Sequence, residues 1–192
     1  MMVQCMRLST IAALWATLLT PNILLAADIA QFSLAGVRLG MSPEEARRAV
    51  SEYLQVSESA LKTSPPVNDP LMERLLSKSI SYSSPDLELT IGLAVANPED
   101  KSSALVVGMV VYKPLRAGEA AQLKGFAVET YGEPSDRSME SVDTLLWCSR
   151  PEAGRCSWSQ PGLSYSKEDG LMLDDPRLLM AYHEAFRRKL AR

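Results

Sequence analysis

Few residues of this chain have the type and spacing to carry chemistry. Its one histidine, His183, stands beside Glu184 and four residues before Arg187. A general base needs an orienting partner and a pocket, and a cation at helical i+4 spacing does not orient a base. Ser59-Ala60-Leu61-Lys62 has the Ser-x-x-Lys order of a serine acylation motif. Its companion Ser-Asp-Asn and Lys-Thr-Gly elements are missing, and the serine lies in a polar stretch with no helix to hold it. Glu168-Asp169 and Asp174-Asp175 lack the alternating oxygen ligands and distant glutamate of a calcium loop; turn and helix-cap chemistry accounts for them. No catalytic, cofactor-binding or metal-ligating residue is assigned, no cofactor is expected, and the chain reads as a non-enzyme.

The cysteines carry a different message. Cys5 lies in the first 27 residues, which leaves Cys148 and Cys156 as a pair. A pair with no ligand set around it reads as a disulfide formed in an oxidising compartment, because a zinc site needs about four ligands. The stretch from Leu145 to Ser159 reads as two strands around a Pro/Gly turn, placing Cys148 opposite Cys156 and Leu146 opposite Trp158.

The amino-terminal segment points to the same compartment. Residues Met1 to Ala27 carry Arg7 as their one charge, then an apolar run from Leu8 to Leu25 that breaks at Thr20-Pro21-Asn22 and closes on Ala26-Ala27. That order of charge, apolar core and small residues is a secretory signal, 1–27, cleaved after Ala26 or Ala27. The turn residues inside the run argue against a membrane span, and no cysteine stands at the cleavage point to take a lipid. The expected mature protein, 28–192, is a single domain in the periplasm or outside the cell. The whole chain is 46% hydrophobic and 22% charged, with a formal net charge of −3. These are ordinary globular values, with no basic footprint for nucleic acid.

Periodicity then supplies the scaffold. Ser42-Pro43-Glu44-Glu45 combines an N-cap serine, a proline at the first helical position and a glutamate three residues after the serine. It predicts a helix from Pro43 to about Gln55, with Ala46, Ala49, Val50, Tyr53 and Leu54 on one face. Ser57 to Pro70 reads as a loop, followed by a short helical turn over 70–76 capped by Asp69. Alternation predicts strands over 78–83, 87–96 and 104–112, then a helix over 118–131 with Ala121, Leu123, Phe126 and Ala127 inward. Gly132 and Pro134 stop that helix. After the cysteine hairpin come short strands over 162–166 and 171–173. A last helix, capped by Asp175 and opened by Pro176, carries the stripe Leu179, Tyr182, Phe186 and Leu190. The fold class is α+β: an antiparallel sheet with helices packed on one face. The order helix, strands, helix, strands hints at a loosely duplicated unit.

Strand alternation sends Trp147 and Trp158 to opposite sides of the hairpin, so both cannot share one core layer. An exposed tryptophan beside a disulfide-stiffened loop suits a partner contact. Trp147 is the candidate anchor, with Arg150 and Arg155 as its polar rim.

Gly40-Met41-Ser42 followed by Glu45-Ala46, with Gly132-Glu133-Pro134 and Trp147 further on, resembles the helix start, turn and tryptophan-bearing strand of the outer-membrane-assembly lipoprotein type SmpA/OmlA. It is similar as well to the related fold of secreted β-lactamase-inhibitor proteins. The resemblance implies a small exported binding or scaffold domain that uses its sheet or loops against another protein. The expected function is therefore non-catalytic binding of another envelope or exported protein. A small-ligand carrier is the alternative, which a cavity of several hundred cubic ångströms would favour. A cell-wall hydrolase is disfavoured because no nucleophile has a recognisable base beside it.

Overall fold

The computed structural model describes residues 28–116 and 118–191; the segment 1–27, expected to be a signal, lies outside them. The elements are α1 (Pro43–Leu54), β1 (Lys62–Thr63), β2 (Val67–Asp69), β3 (Arg74–Leu76), β4 (Ser79–Ser83), β5 (Leu87–Val95), β6 (Leu105–Pro114), α2 (Glu119–Tyr131), β7 (Thr144–Cys148), β8 (Gly162–Ser166), β9 (Gly170–Asp174) and α3 (Pro176–Leu190). Seven strands form one antiparallel sheet in the order β1-β4-β5-β6-β9-β8-β7, and β2 pairs with β3 in a separate hairpin. The fold is α+β. Each of the first two helices precedes a three-stranded meander, β4-β5-β6 and β7-β8-β9, and the two meanders join through their last strands, β6 and β9.

Period-two alternation builds the core. One row of cross-strand partners runs Ile80, Ile91, Val110, Leu173, Leu163 and Trp147, and the next runs Tyr82, Leu89, Tyr112, Leu171, Tyr165 and Leu145. Both rows belong to one apolar cluster with Ala46 and Val50 of α1 and Leu123 and Ala127 of α2. The strict alternation of β5, whose odd positions from Leu87 to Val95 are all buried, makes this face unambiguous.

α1 starts as the sequence dictates. The Ser42 hydroxyl accepts from the Glu45 amide, the Glu45 carboxylate accepts from the Ser42 amide, and Pro43 occupies the first turn. The chain before it doubles back through Ala35 and Gly36, both at positive φ, so that Leu34 pairs with Val37. Gly36 has a second reason to be glycine: a Cβ there would meet the Ala49 carbonyl at 3.3 Å.

α3 packs a second, smaller cluster rather than the main one. Its Ala185, Tyr182 and Phe186 meet Leu71, Met72 and Leu76 of the β2–β3 hairpin and Val95 of β5. Asp175 caps the helix and Pro176 opens it. The predicted stripe is only half right, because Leu179 and Leu190 are 59% and 72% exposed. Phe126 of α2 is likewise exposed, not inward.

Two local predictions are corrected. The stretch after Asp69 is a hairpin and not a helical turn. Asp69 does accept from the Leu71 and Met72 amides, but Glu73 takes a left-handed conformation (φ 56°) and returns the chain as β3. The cysteine hairpin also has a different return strand. β7 pairs with β8, setting Cys148 beside Gly162, and residues 149–161 form a loop. The disulfide itself is present, with the Cys148 and Cys156 Cα atoms 5.8 Å apart.

Candidate functional site: an aromatic cleft

Where α1, α2, the 33–36 turn and the end of β6 converge, they leave a cavity of about 500 Å³. Tyr53 comes from the last turn of α1, Tyr112 from β6, and Phe126 and Tyr131 from α2, so four of the chain's twelve aromatic residues line one cleft. Each is held by an ordinary structural cause. Tyr112 is fixed by register between Leu89 and Leu171. Tyr131 is clamped by its hydroxyl, which donates to the Ser33 carbonyl at 2.5 Å, and by the Phe32 ring at 4.7 Å. Tyr53 and Phe126, 53% and 46% exposed, form the rim.

The polar groups of the cleft are few. Glu119 and Gln122 project from successive turns of α2, and Thr130 stands near its end. Burial pushes the Tyr131 hydroxyl up to about 12, with Tyr53 adding to it. Burial also raises the Tyr112 hydroxyl, reinforced by Tyr53 and Glu119. Both tyrosines therefore stay protonated and able to donate at neutral pH. Unlike Tyr131, Tyr112 has no hydrogen-bond partner for its hydroxyl among the described residues. A cavity of this size with apolar walls and a few polar groups has the form of a small-molecule site.

The residues singled out in the sequence fall elsewhere. Trp147, expected as the exposed anchor, is fully buried, and its indole N–H donates to the Gly132 carbonyl at 2.8 Å. The physical reason is its place in the inner row of β7, opposite Leu163. The exposed tryptophan is Trp158, at 69%. It sits on the disulfide loop, which buried Asp136 pins by accepting from the Cys156 amide at 2.9 Å. Arg150 and Arg155 are exposed on that loop but frame no exposed Trp147, and the Gln160 side chain bridges the Arg150 backbone on both sides. Arg150 also borders a hollow of about 700 Å³ that has no aromatic wall. There Arg177 is already paired with Asp175 at 2.7 Å.

Ser59 is exposed and its hydroxyl neighbours that of Ser57 at 2.9 Å, while Lys62 projects to solvent from β1. His183 is exposed, edge-on to the Tyr182 ring. Among the described residues no three His, Cys, Asp or Glu side chains gather as a metal site, and no helix is long and apolar enough to cross a membrane. The cleft was hidden in the sequence because its walls come from four elements. Tyr53 and Phe126 each read as core positions, and only their shared aromatic character hinted otherwise. Set against protein-family models, curated proteins and solved structures, the chain matches none.

Proposed function

We propose that this is an exported, non-catalytic binding protein of the cell envelope and that the aromatic cleft takes its ligand, a small and mostly apolar molecule. The observation that carries the proposal is the cavity of about 500 Å³ with four aromatic walls and a free tyrosine hydroxyl, within the range of known ligand pockets, roughly 300 to 1,000 Å³. Export is supported by the Cys148–Cys156 disulfide together with the leader-like segment. The absence of catalysis is supported by the setting of Ser59 and His183, neither of which has a base or orienting partner. The test is chemical-shift mapping with a small library of aromatic and aliphatic fragments. Shifts are expected at Ala35, Gly36, Tyr53, Tyr112, Phe126 and Tyr131; shifts scattered over the surface contradict the proposal.

A second reading, contact with another envelope or exported protein, is favoured by one observation. Trp158 projects from a loop held by a disulfide, by Asp136 and by Gln160, which suits a rigid anchor. The helix start similar to the SmpA/OmlA type fits a role of that class. Crosslinking in the intact envelope from position 158 tests it: a discrete captured protein supports this reading, and capture no greater than from a distant surface position counts against it.

A further inference from the structure

The cleft has a charge character as well as a shape. Its lining contains one formally charged side chain, Glu119, and no lysine, arginine or histidine. The cation paired with Glu119, Arg116, is shared: its guanidinium makes two hydrogen bonds to the Asp86 carboxylate at 2.6 and 2.5 Å and stands farther from Glu119, at 4.0 Å. One cation against two carboxylates leaves this trio with a net negative charge at the cleft.

The aromatic walls have the same preference. A ring face carries the negative lobe of its quadrupole, and a cation within about 6 Å of ring centroids is attracted to it, most of all when several rings surround the cation and exclude water. Three tyrosines and a phenylalanine beside a carboxylate that shares its one recorded cation with Asp86 disfavour an anion, and a purely apolar molecule would leave Glu119 unused.

We infer that the cleft binds a small organic cation, an alkylammonium group whose methyls lie among Tyr53, Tyr112, Phe126 and Tyr131 and whose charge faces Glu119. The inference rests on the cleft being the binding site and adds the ligand class. The rest of such a ligand meets Gln122, Thr130 and the Tyr112 hydroxyl, which offer donors and acceptors for a short polar tail.

The test is a calorimetric titration of the purified chain at low salt with choline and with its uncharged isostere 3,3-dimethylbutan-1-ol, and shift mapping of each. Choline is expected to bind at least about tenfold more tightly than the isostere, with shifts confined to the cleft. Glu119→Gln should erase most of that preference. Tyr112→Leu should weaken choline about tenfold or more, and Tyr112→Phe, which keeps the ring, should weaken it much less. Because Tyr112 packs in the core, the partly exposed Glu119 variant decides if Tyr112→Leu fails to fold. Equal binding of the two probes overturns the cation inference and leaves the cleft as a site. Fragment binding in the cleft with no response to choline does the same. Silence toward choline, isostere and every fragment overturns both.

Discussion

Two tyrosines that feel a neighbouring carboxylate, Tyr182 and Tyr112, meet opposite outcomes. At the α3 end, Tyr182 donates to Asp69 at 2.8 Å, and the same buried carboxylate takes the Lys78 ammonium and the amides of Leu71 and Met72 at 3.0 and 2.9 Å. Little acceptor capacity is left over, and the cluster fastens the β2–β3 hairpin, β4 and α3 together. In the cleft, Tyr112 and Glu119 face a hollow, and Arg116, 4.0 Å from Glu119, is bonded more closely to Asp86. Satisfied polar groups hold structure, whereas unsatisfied ones beside a cavity wait for a ligand. The two tryptophans among the described residues repeat the contrast, since Trp147 is buried with its N–H bonded and Trp158 is open.

The largest effect should come from the filled side. Trp147→Ala removes a fully buried side chain and leaves the Gly132 carbonyl without its donor, which should cost about 4 kcal/mol in urea unfolding. Trp158→Ala should change stability by less than about 0.5 kcal/mol. Similar losses for the two would break the comparison.

Next comes Asp69→Ala, expected to cost about 3 kcal/mol because Lys78 loses its partner and two turn amides are orphaned. Burial alone would raise the Asp69 carboxyl, but the hydrogen bonds from Lys78, the Met72 amide and Tyr182 outweigh it and hold the group at about 2. A lowered folded value means that the contribution is complete above the ordinary carboxylate value of 3.8 and fades as pH falls toward 2. The variant's deficit should therefore shrink between about pH 4 and pH 2. A deficit unchanged across that window contradicts the hub.

Smaller still is the disulfide. Replacing both Cys148 and Cys156 by serine should cost about 2 kcal/mol, at the low end because the closed loop is short. Asp136 continues to pin the loop through the Cys156 amide, and the cleft, built from other elements, should keep its fragment binding. Loss of binding in that variant would show that the two regions are not independent.

Asp174 gives the sign opposite to Asp69. Burial, helped by neighbouring Asp175, raises its carboxyl to about 6. A raised folded value means that its contribution is present below pH about 4 and is lost as pH rises through 6. Asp174→Asn should accordingly stabilise the protein by about 1 kcal/mol near pH 7.5 and by little at pH 4, a difference readable in paired thermal melts. A gain of equal size at both pH values would assign the effect to something other than ionisation.

What the sequence disclosed, and what it hid, follows the range of the interactions. Ser42, Pro43 and Glu45 define a helix start within four residues, and Leu87 to Val95 write their buried face in alternation; both signals are local and both elements are present. The disulfide was legible for the same reason. The return strand of its hairpin was not, because 149–161 is held by the Asp136 carboxylate twenty residues before Cys156 and not by strand pairing. Asp69 showed its capping role, but the left-handed turn at Glu73 that makes a hairpin of the segment left no composition signal. The burial of Trp147 is set by the pairing of β7 with β8, opposite Leu163, which the hairpin expected from the cysteine spacing does not contain. The cleft was the least visible, since Tyr53, Tyr112, Phe126 and Tyr131 meet only after α1, β6 and α2 have packed.

The central claim is that the open side of the comparison is a binding site and not a packing defect. Gln122→Trp tests it most directly, because the residue is exposed, lines the cleft and can fill it without removing any core side chain. The decisive measurement is the affinity of this variant for the best fragment found by shift mapping. The account predicts unfolding free energy within about 0.5 kcal/mol of the parent and affinity reduced at least about tenfold. Undiminished affinity in a folded Gln122→Trp chain would contradict it.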